Sequence, residues 1–194
     1  QLFNFKRGKM NFLFNKHSHF NLANIVTFFN ISCGIFAIYF LTHNEFMGAA
    51  LFAWLAGAFD IFDGKIARKY NLSTEFGIQL DSYADFLSFV IVPAMFIYFA
   101  IFDGKESFYN MALIAFVFIY YVISGLRRLI QFNINANEGE VEKYFTGIPT
   151  PLGAILLWVV YLIYLTGYIN EHFVLGSIII IGYLLNSKIK IKHL

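Results

Sequence analysis

Six apolar segments, near residues 21–42, 46–69, 75–102, 108–132, 148–169 and 171–188, each reach the roughly 20 residues that a helix needs to cross a bilayer. Runs of this kind leave the chain few options. Hydrocarbon offers backbone N–H and C=O groups no partner, so spanning segments must satisfy their own hydrogen bonds, as helices do. The breaks between runs are short and polar: His43-Asn44-Glu45, Tyr70 to Thr74, Asp103 to Glu106, Asn135 to Lys143 and Asn170 to His172. A chain of 194 residues that is 59% hydrophobic and only 13% charged is too apolar for an ordinary soluble domain. No repeat or low-complexity linker divides it. The expected fold is therefore all-α: a polytopic membrane protein with a six-transmembrane-helix bundle over 21–194. Residues 1–20 are basic and lack a cleavable signal pattern, so they are expected to form a trimmed, amphipathic juxtamembrane segment on the membrane surface. The lone Cys33 has no disulfide partner and is expected to pack as a small residue.

The charges are distributed unevenly. Of the 14 Lys and Arg residues, all but Lys105 fall on one side of the six-span arrangement, including Lys16, Lys65, Arg68, Lys69, Arg127, Arg128, Lys143 and Lys188. The positive-inside rule then places both termini and the breaks after the second and fourth spans in the cytoplasm of a cell-membrane protein. Basic residues spread over the rims of several spans suit anionic lipid headgroups and topology, and no nucleic-acid partner is expected.

Within the second and third spans stand four acids, Asp60, Asp63, Asp81 and Asp85. An ionisable group at membrane depth is costly, so each is a candidate functional residue. At 100° per residue Asp60, Asp63, Gly64, Ala67 and Arg68 share one face of the second helix, about 140° wide. Gly77, Asp81 and Asp85 share one face of the third. The short connection makes the two helices antiparallel neighbours, which sets Asp63 level with Asp81 and Asp60 level with Asp85. At 1.5 Å per residue these levels lie roughly 9 to 15 Å inside the helix ends. Four converging carboxylates repel unless a cation joins them. Their hard oxygens favour Mg2+ or Mn2+, with Ca2+ also suited, and four could serve two ions of the kind that grip a phosphate or diphosphate. Gly64 and Gly77 leave room for a ligand or a neighbouring helix, and Arg68 supplies a cation for phosphate. The plainer reading is that the acids mark helix ends and pair with Lys65, Arg68 and Lys69. A cation transporter or channel also uses buried aspartates, and a non-catalytic scaffold could retain the fold.

The pattern Asp60-x-x-Asp63-Gly64-x-x-Ala67-Arg68, eight residues, then Gly77-x-x-x-Asp81-x-x-x-Asp85 resembles the signature of the CDP-alcohol phosphotransferases at every fixed position. Flanking segments are similar to the phosphatidylserine synthase branch of that family. They are Ser73 to Phe89 followed by Pro93, then Phe145-x-Gly147-Ile148-Pro149-x-Pro151, and Asn24-x-x-Thr27 followed by Asn30 and Gly34. Two stretches depart from the branch. Gln131 stands where a second arginine is usual in Leu126 to Asn133, and Val90 to Val92 replace small residues before Pro93.

The resemblance implies transfer of a phosphatidyl or archaetidyl group from CDP-diacylglycerol or CDP-archaeol to the hydroxyl of L-serine, with release of CMP. The same chemistry with glycerol 3-phosphate or inositol phosphate as acceptor is the alternative. Asp60 and Asp81 would each touch both metals, Asp63 the first, and Asp85 the second while acting as general base. Asn24, Thr27, Gly64, Arg68, Thr74 and Gly77 would surround the CDP-bearing substrate. Of Arg127 and Arg128, one is expected to cap a helix end and the other to bind serine's carboxylate. The resemblance also implies a homodimer. Pro93 is expected to mark a kink, and Gly147-x-Pro149 to open the fifth span. The histidines show no ligand spacing and receive no role.

Overall fold

The computed structural model of the chain describes residues 12–16, 18–104, 108–137, 144–187 and 190–192. Among them six helices follow in order: α1 (Leu22–Thr42), α2 (Phe46–Tyr70), α3 (Glu75–Phe102), α4 (Phe108–Asn137), α5 (Thr150–Leu165) and α6 (Glu171–Leu185). The first three, and α4 over Asn110–Ile134, are long and apolar enough to cross a membrane. The polytopic helical bundle stands. Of the expected surface segment 1–20, residues 1–11 and 17 lie outside the described residues; the rest makes turns, with the Leu22 N–H donating to the Leu13 carbonyl at 2.8 Å.

Three helices differ in extent from expectation. The fifth and sixth helices are shorter than 148–169 and 171–188, at 16 and 15 residues, or roughly 24 and 22 Å. Pro149 is extended and precedes the first turn of α5, where Pro151 loses no hydrogen bond; Gly167, at φ +77°, turns the chain just past the other end. The fourth helix instead runs five residues beyond 132, to Asn137.

Side-chain caps set the ends that matter for the site. Asn21 caps α1 by accepting from the Asn24 N–H at 3.0 Å, and Thr74 caps α3 by accepting from the Gly77 N–H at 3.0 Å. Asn71, left-handed at φ 53°, ends α2, with Arg68 and Lys69 in the last turn where the helix dipole favours cations. The Asn21 amide also donates to the Leu72 carbonyl at 3.4 Å, tying the start of α1 to the α2–α3 turn.

Helix α3 threads the middle of the bundle and is not uniform. It is α-helical over Glu75–Asp85 and Val92–Ile97, and π-helical over Phe86–Ile91 and Tyr98–Phe102. Pro93 has no N–H to give the carbonyl of Phe89, four residues earlier. The hydroxyl of Tyr121, a fully buried side chain on α4, donates to that carbonyl at 3.5 Å. Val90 packs on Gly125, where an added Cβ would fall 2.6 Å from a Val90 methyl. A small residue facing Val90 thus reverses the small-residue placement usual before Pro93.

The apolar core runs between α3, α4, α5 and α6 through Ile97, Val117, Leu157, Val174 and Ile178. The α1–α2 seam is tighter, with Ala37, Ala49 and Ala56 fully buried, as small residues permit between membrane helices. Outward faces carry exposed Phe36, Trp54, Phe116 and Ile180, as lipid contact requires. One element lies outside the all-α expectation. Strands β1 (Tyr144–Thr146) and β2 (Lys190–Lys192) pair antiparallel at the end of the bundle, with Phe145 opposite Ile191. Gly147, at φ +83°, makes this clip possible: a Cβ there would lie 2.6 Å from the Leu185 carbonyl, and the Ile148 N–H donates to the Leu184 carbonyl at 3.2 Å.

Candidate active site

The α2–α3 hairpin presents its acids to one another. Carboxylate oxygens of Asp60, Asp63 and Asp81 all lie within 4.8 Å of one another. Asp63 is only 2% exposed, whereas Asp81 opens to the surface. Asp85 stands outside this trio, one turn deeper than Asp81, with its carboxyl against that of Asp60.

Both Asp63 oxygens and Oδ1 of Asp85 are buried without a hydrogen-bond partner. Asp63 therefore accepts nothing from Lys65, Arg68 or Lys69, as the plainer reading required. A buried carboxylate left without partners costs several kcal/mol, and the vacant lone pairs of Asp63 face two further carboxylates. Oxygens that share one hard cation at about 2.1–2.5 Å stand at most about 4–5 Å apart. The trio fits such an ion as it stands, and its donor set is all oxygen.

Above the trio opens a cleft of about 180 Å³. Asn24 and Thr27 on α1, Asp63, Gly64 and Arg68 on α2, and Thr74, Gly77 and Asp81 at the start of α3 all line it. All six residues expected around the CDP-bearing substrate thus line one cleft. The two glycines differ in what they allow. A Cβ at Gly77 would fall 2.9 Å from Asn24 Oδ1 and 3.2 Å from Thr74 Oγ1, so α1 and α3 need glycine there to meet. At Gly64 the nearest atom is the Arg68 guanidinium at 3.5 Å, an ordinary contact, which leaves its open side for a ligand. Several of these side chains also hold the fold: the Asn24 amide donates to the His19 carbonyl at 3.0 Å, and Thr27 Oγ1 donates to the Ala23 carbonyl at 3.2 Å.

The two arginines separate. Arg127 is exposed, while Arg128 is buried and its Nε donates to the Ile148 carbonyl at 3.1 Å, bracing α4 against the loop that opens α5. Neither lines the cleft described above. Sequence reasoning assigned no role to Ser82 and Asn133, yet they join α3 to α4 between Asp81 and Asp85: Asn133 Nδ2 donates to Ser82 Oγ at 2.8 Å. Asn30 and Ser88 stood only as positions of the family pattern, without the pairing they make beneath Asp60. Polar residues within otherwise apolar runs were the available signal.

A family model described as CDP-alcohol phosphatidyltransferase matches residues 20–185, taking in all six helices and every acid of the site. The chain belongs to that family. Family members of similar sequence include the CDP-diacylglycerol–serine O-phosphatidyltransferase of Bacillus subtilis, 31% identical over 170 residues that cover 87% of this chain and 88% of the relative. The enzyme so named in Methanocaldococcus jannaschii is 33% identical over 179 residues, covering 92% of this chain and 77% of the relative. The archaetidylserine synthase of Methanothermobacter thermautotrophicus is 30% identical over 171 residues, covering 87% and 68%. Divalent-metal dependence is general to the family, and the acid trio is what this chain offers for it.

Proposed function

We infer that the chain is a membrane transferase that moves a phosphatidyl or archaetidyl group from a CDP-linked lipid to L-serine, releasing CMP. The observation that carries this reading is the trio of carboxylates within 4.8 Å, with both oxygens of Asp63 unpartnered and two of its members, Asp63 and Asp81, lining a cleft walled by Arg68 and the capped starts of two helices. Asp60, Asp63 and Asp81 would hold one Mg2+ or Mn2+, and Asp85 beside Asp60 would complete the place for a second. When bound, such ions supply Lewis-acid stabilisation to a diphosphate and its leaving oxygen.

The chain's own groups account for the rest. Arg68 and the first turns of α1 and α3 suit the nucleotide and its phosphates, since helix N-termini favour anions. Serine's hydroxyl oxygen forms a bond to the lipid-linked phosphorus, the bond from that phosphorus to the oxygen of CMP breaks, and Asp85 takes the hydroxyl proton. No covalent enzyme intermediate is needed. Arg127, exposed beside the buried Arg128, is the residue free to reach an acceptor's carboxylate, while Arg128 serves the α4–α5 joint. The basic residues at this end support a cleft that faces the cytoplasm. The resemblance-based homodimer is open to crosslinking in mild detergent.

The experiment offers purified protein a CDP-lipid with serine, glycerol 3-phosphate or inositol phosphate and measures CMP. Release driven by serine is expected. Release no greater with serine than with the phosphorylated acceptors would end the serine assignment, and ion flux without CMP would favour a transporter.

A further inference from the structure

Beneath the acid trio a chain of hydrogen bonds crosses from α3 to α1 to α2. Ser88 Oγ donates to Asn30 Oδ1 at 2.6 Å, and Asn30 Nδ2 donates to Asp60 Oδ1 at 3.4 Å. Asn30 is fully buried and Ser88 is 3% exposed. Donor chemistry gives this chain one direction. A carboxylate only accepts, so the amide nitrogen of Asn30 must face Asp60; its oxygen then faces Ser88, whose hydroxyl must donate. An inverted carboxamide would set its oxygen against the carboxylate and leave a buried N–H facing the serine.

Local structure delivers both partners. Gly34, one turn beyond Asn30, lets α1 approach α3 closely: a Cβ there would fall 2.9 Å from Leu87 Cδ2 and 3.4 Å from Ser88 Oγ. Ser88 sits within the π-helical stretch Phe86–Ile91 that follows Asp85 directly. Helix α1 carries no acid of its own, so this contact is how its buried amide reaches the cation site.

We propose that Asn30 and Ser88 are positioning residues: Ser88 fixes the Asn30 carboxamide, and that carboxamide holds Asp60 in the orientation that joins Asp63 and Asp81 around a divalent cation. The proposal rests on Asp60 being a metal ligand, as put forward above. Hydrogen-bonded partners behind a ligand orient it, and their loss typically weakens metal binding about 10- to 100-fold.

The test titrates Mn2+ into purified protein in detergent without substrate, following free Mn2+ by electron paramagnetic resonance. Asn30→Leu is expected to weaken Mn2+ binding about tenfold or more and Ser88→Ala by less, while Ser88→Thr, which keeps the hydroxyl, stays within about twofold of the parent. Because the two act in series, the double variant should bind no more weakly than Asn30→Leu alone. Effects that multiply in the double variant, or parental affinity in both single variants, would overturn the proposal and leave the metal reading intact. Should Asn30→Leu fail to fold, Ser88→Ala against Ser88→Thr decides alone. If the parent protein takes up no Mn2+, or Asp60→Asn binds it as the parent does, the metal reading itself falls.

Discussion

Toward the far ends of α1 and α3 the bundle buries Leu41, Ile97, Ile101 and Val174, whereas toward the α2–α3 turn it buries Asn24, Thr27 and Asn30 of α1 and Asp63 of α2. The apolar half is complete in itself, each side chain filling space left by its neighbours. The acid-bearing half is not complete. Its hydroxyls and amides are satisfied, but the Asp63 oxygens and one oxygen of Asp85 are left without protein partners. Stability is therefore made mostly in one half, and unmet bonding capacity is concentrated in the other, where a cation and a phosphate would use it.

Substitutions that strike the two halves should separate activity from stability. The largest effect is expected of Asp85→Asn: loss of the proton acceptor should lower turnover about 10²- to 10⁴-fold, with CDP-lipid binding retained and no drop in thermal midpoint. An Asp85→Asn protein that unfolds would break the comparison, because it would make the acid a structural residue. In the apolar half Leu157→Ala should do the reverse, costing about 2–5 kcal/mol in a thermal or denaturant melt while KM for CDP-lipid stays put. Gly77→Ala and Gly64→Ala sharpen the boundary between the halves. The first should cost about 1–3 kcal/mol, since its Cβ has no room beside Asn24. The second should melt within about 0.5 kcal/mol of the parent and lose CDP-lipid affinity, because only the ligand needs that space. Smallest is Tyr121→Phe, which removes the hydroxyl's bond to the Phe89 carbonyl and should cost about 1 kcal/mol with turnover unchanged.

The same division explains what could be read in the sequence. Span positions and the shared face of Asp60, Asp63, Gly64 and Arg68 follow from hydropathy and from 100° per residue, which are properties of a single helix. Gly64, Gly77 and Arg68 were read from residue chemistry and Asn24, Thr27 and Thr74 through resemblance, and the structure gathers all six in the cleft. What stayed hidden depends on contacts between helices. The level pairing of Asp60 with Asp85 was legible from helix rise and is what the structure shows, but that Arg128 braces Ile148 and that Tyr121 reaches the Phe89 carbonyl are consequences of packing across 20 or more residues. The π-helical stretches shift the phase of α3 after Asp85, so periodicity carried past that point misplaces Ser88. The β1–β2 clip was invisible for another reason: three-residue strands carry too little alternation to register.

The central claim is that the unpartnered carboxylates exist to hold divalent cations for serine transfer, and radiolabelled serine tests it most directly. Purified protein is given CDP-lipid and labelled serine in EDTA, and then again after Mg2+ or Mn2+ is restored, with label followed into the lipid phase. The account predicts background incorporation in EDTA, recovery on return of the metal, and no recovery in Asp63→Asn. Serine incorporation that persists in EDTA, or a metal-restored enzyme that releases CMP while no serine label enters the lipid, would contradict it.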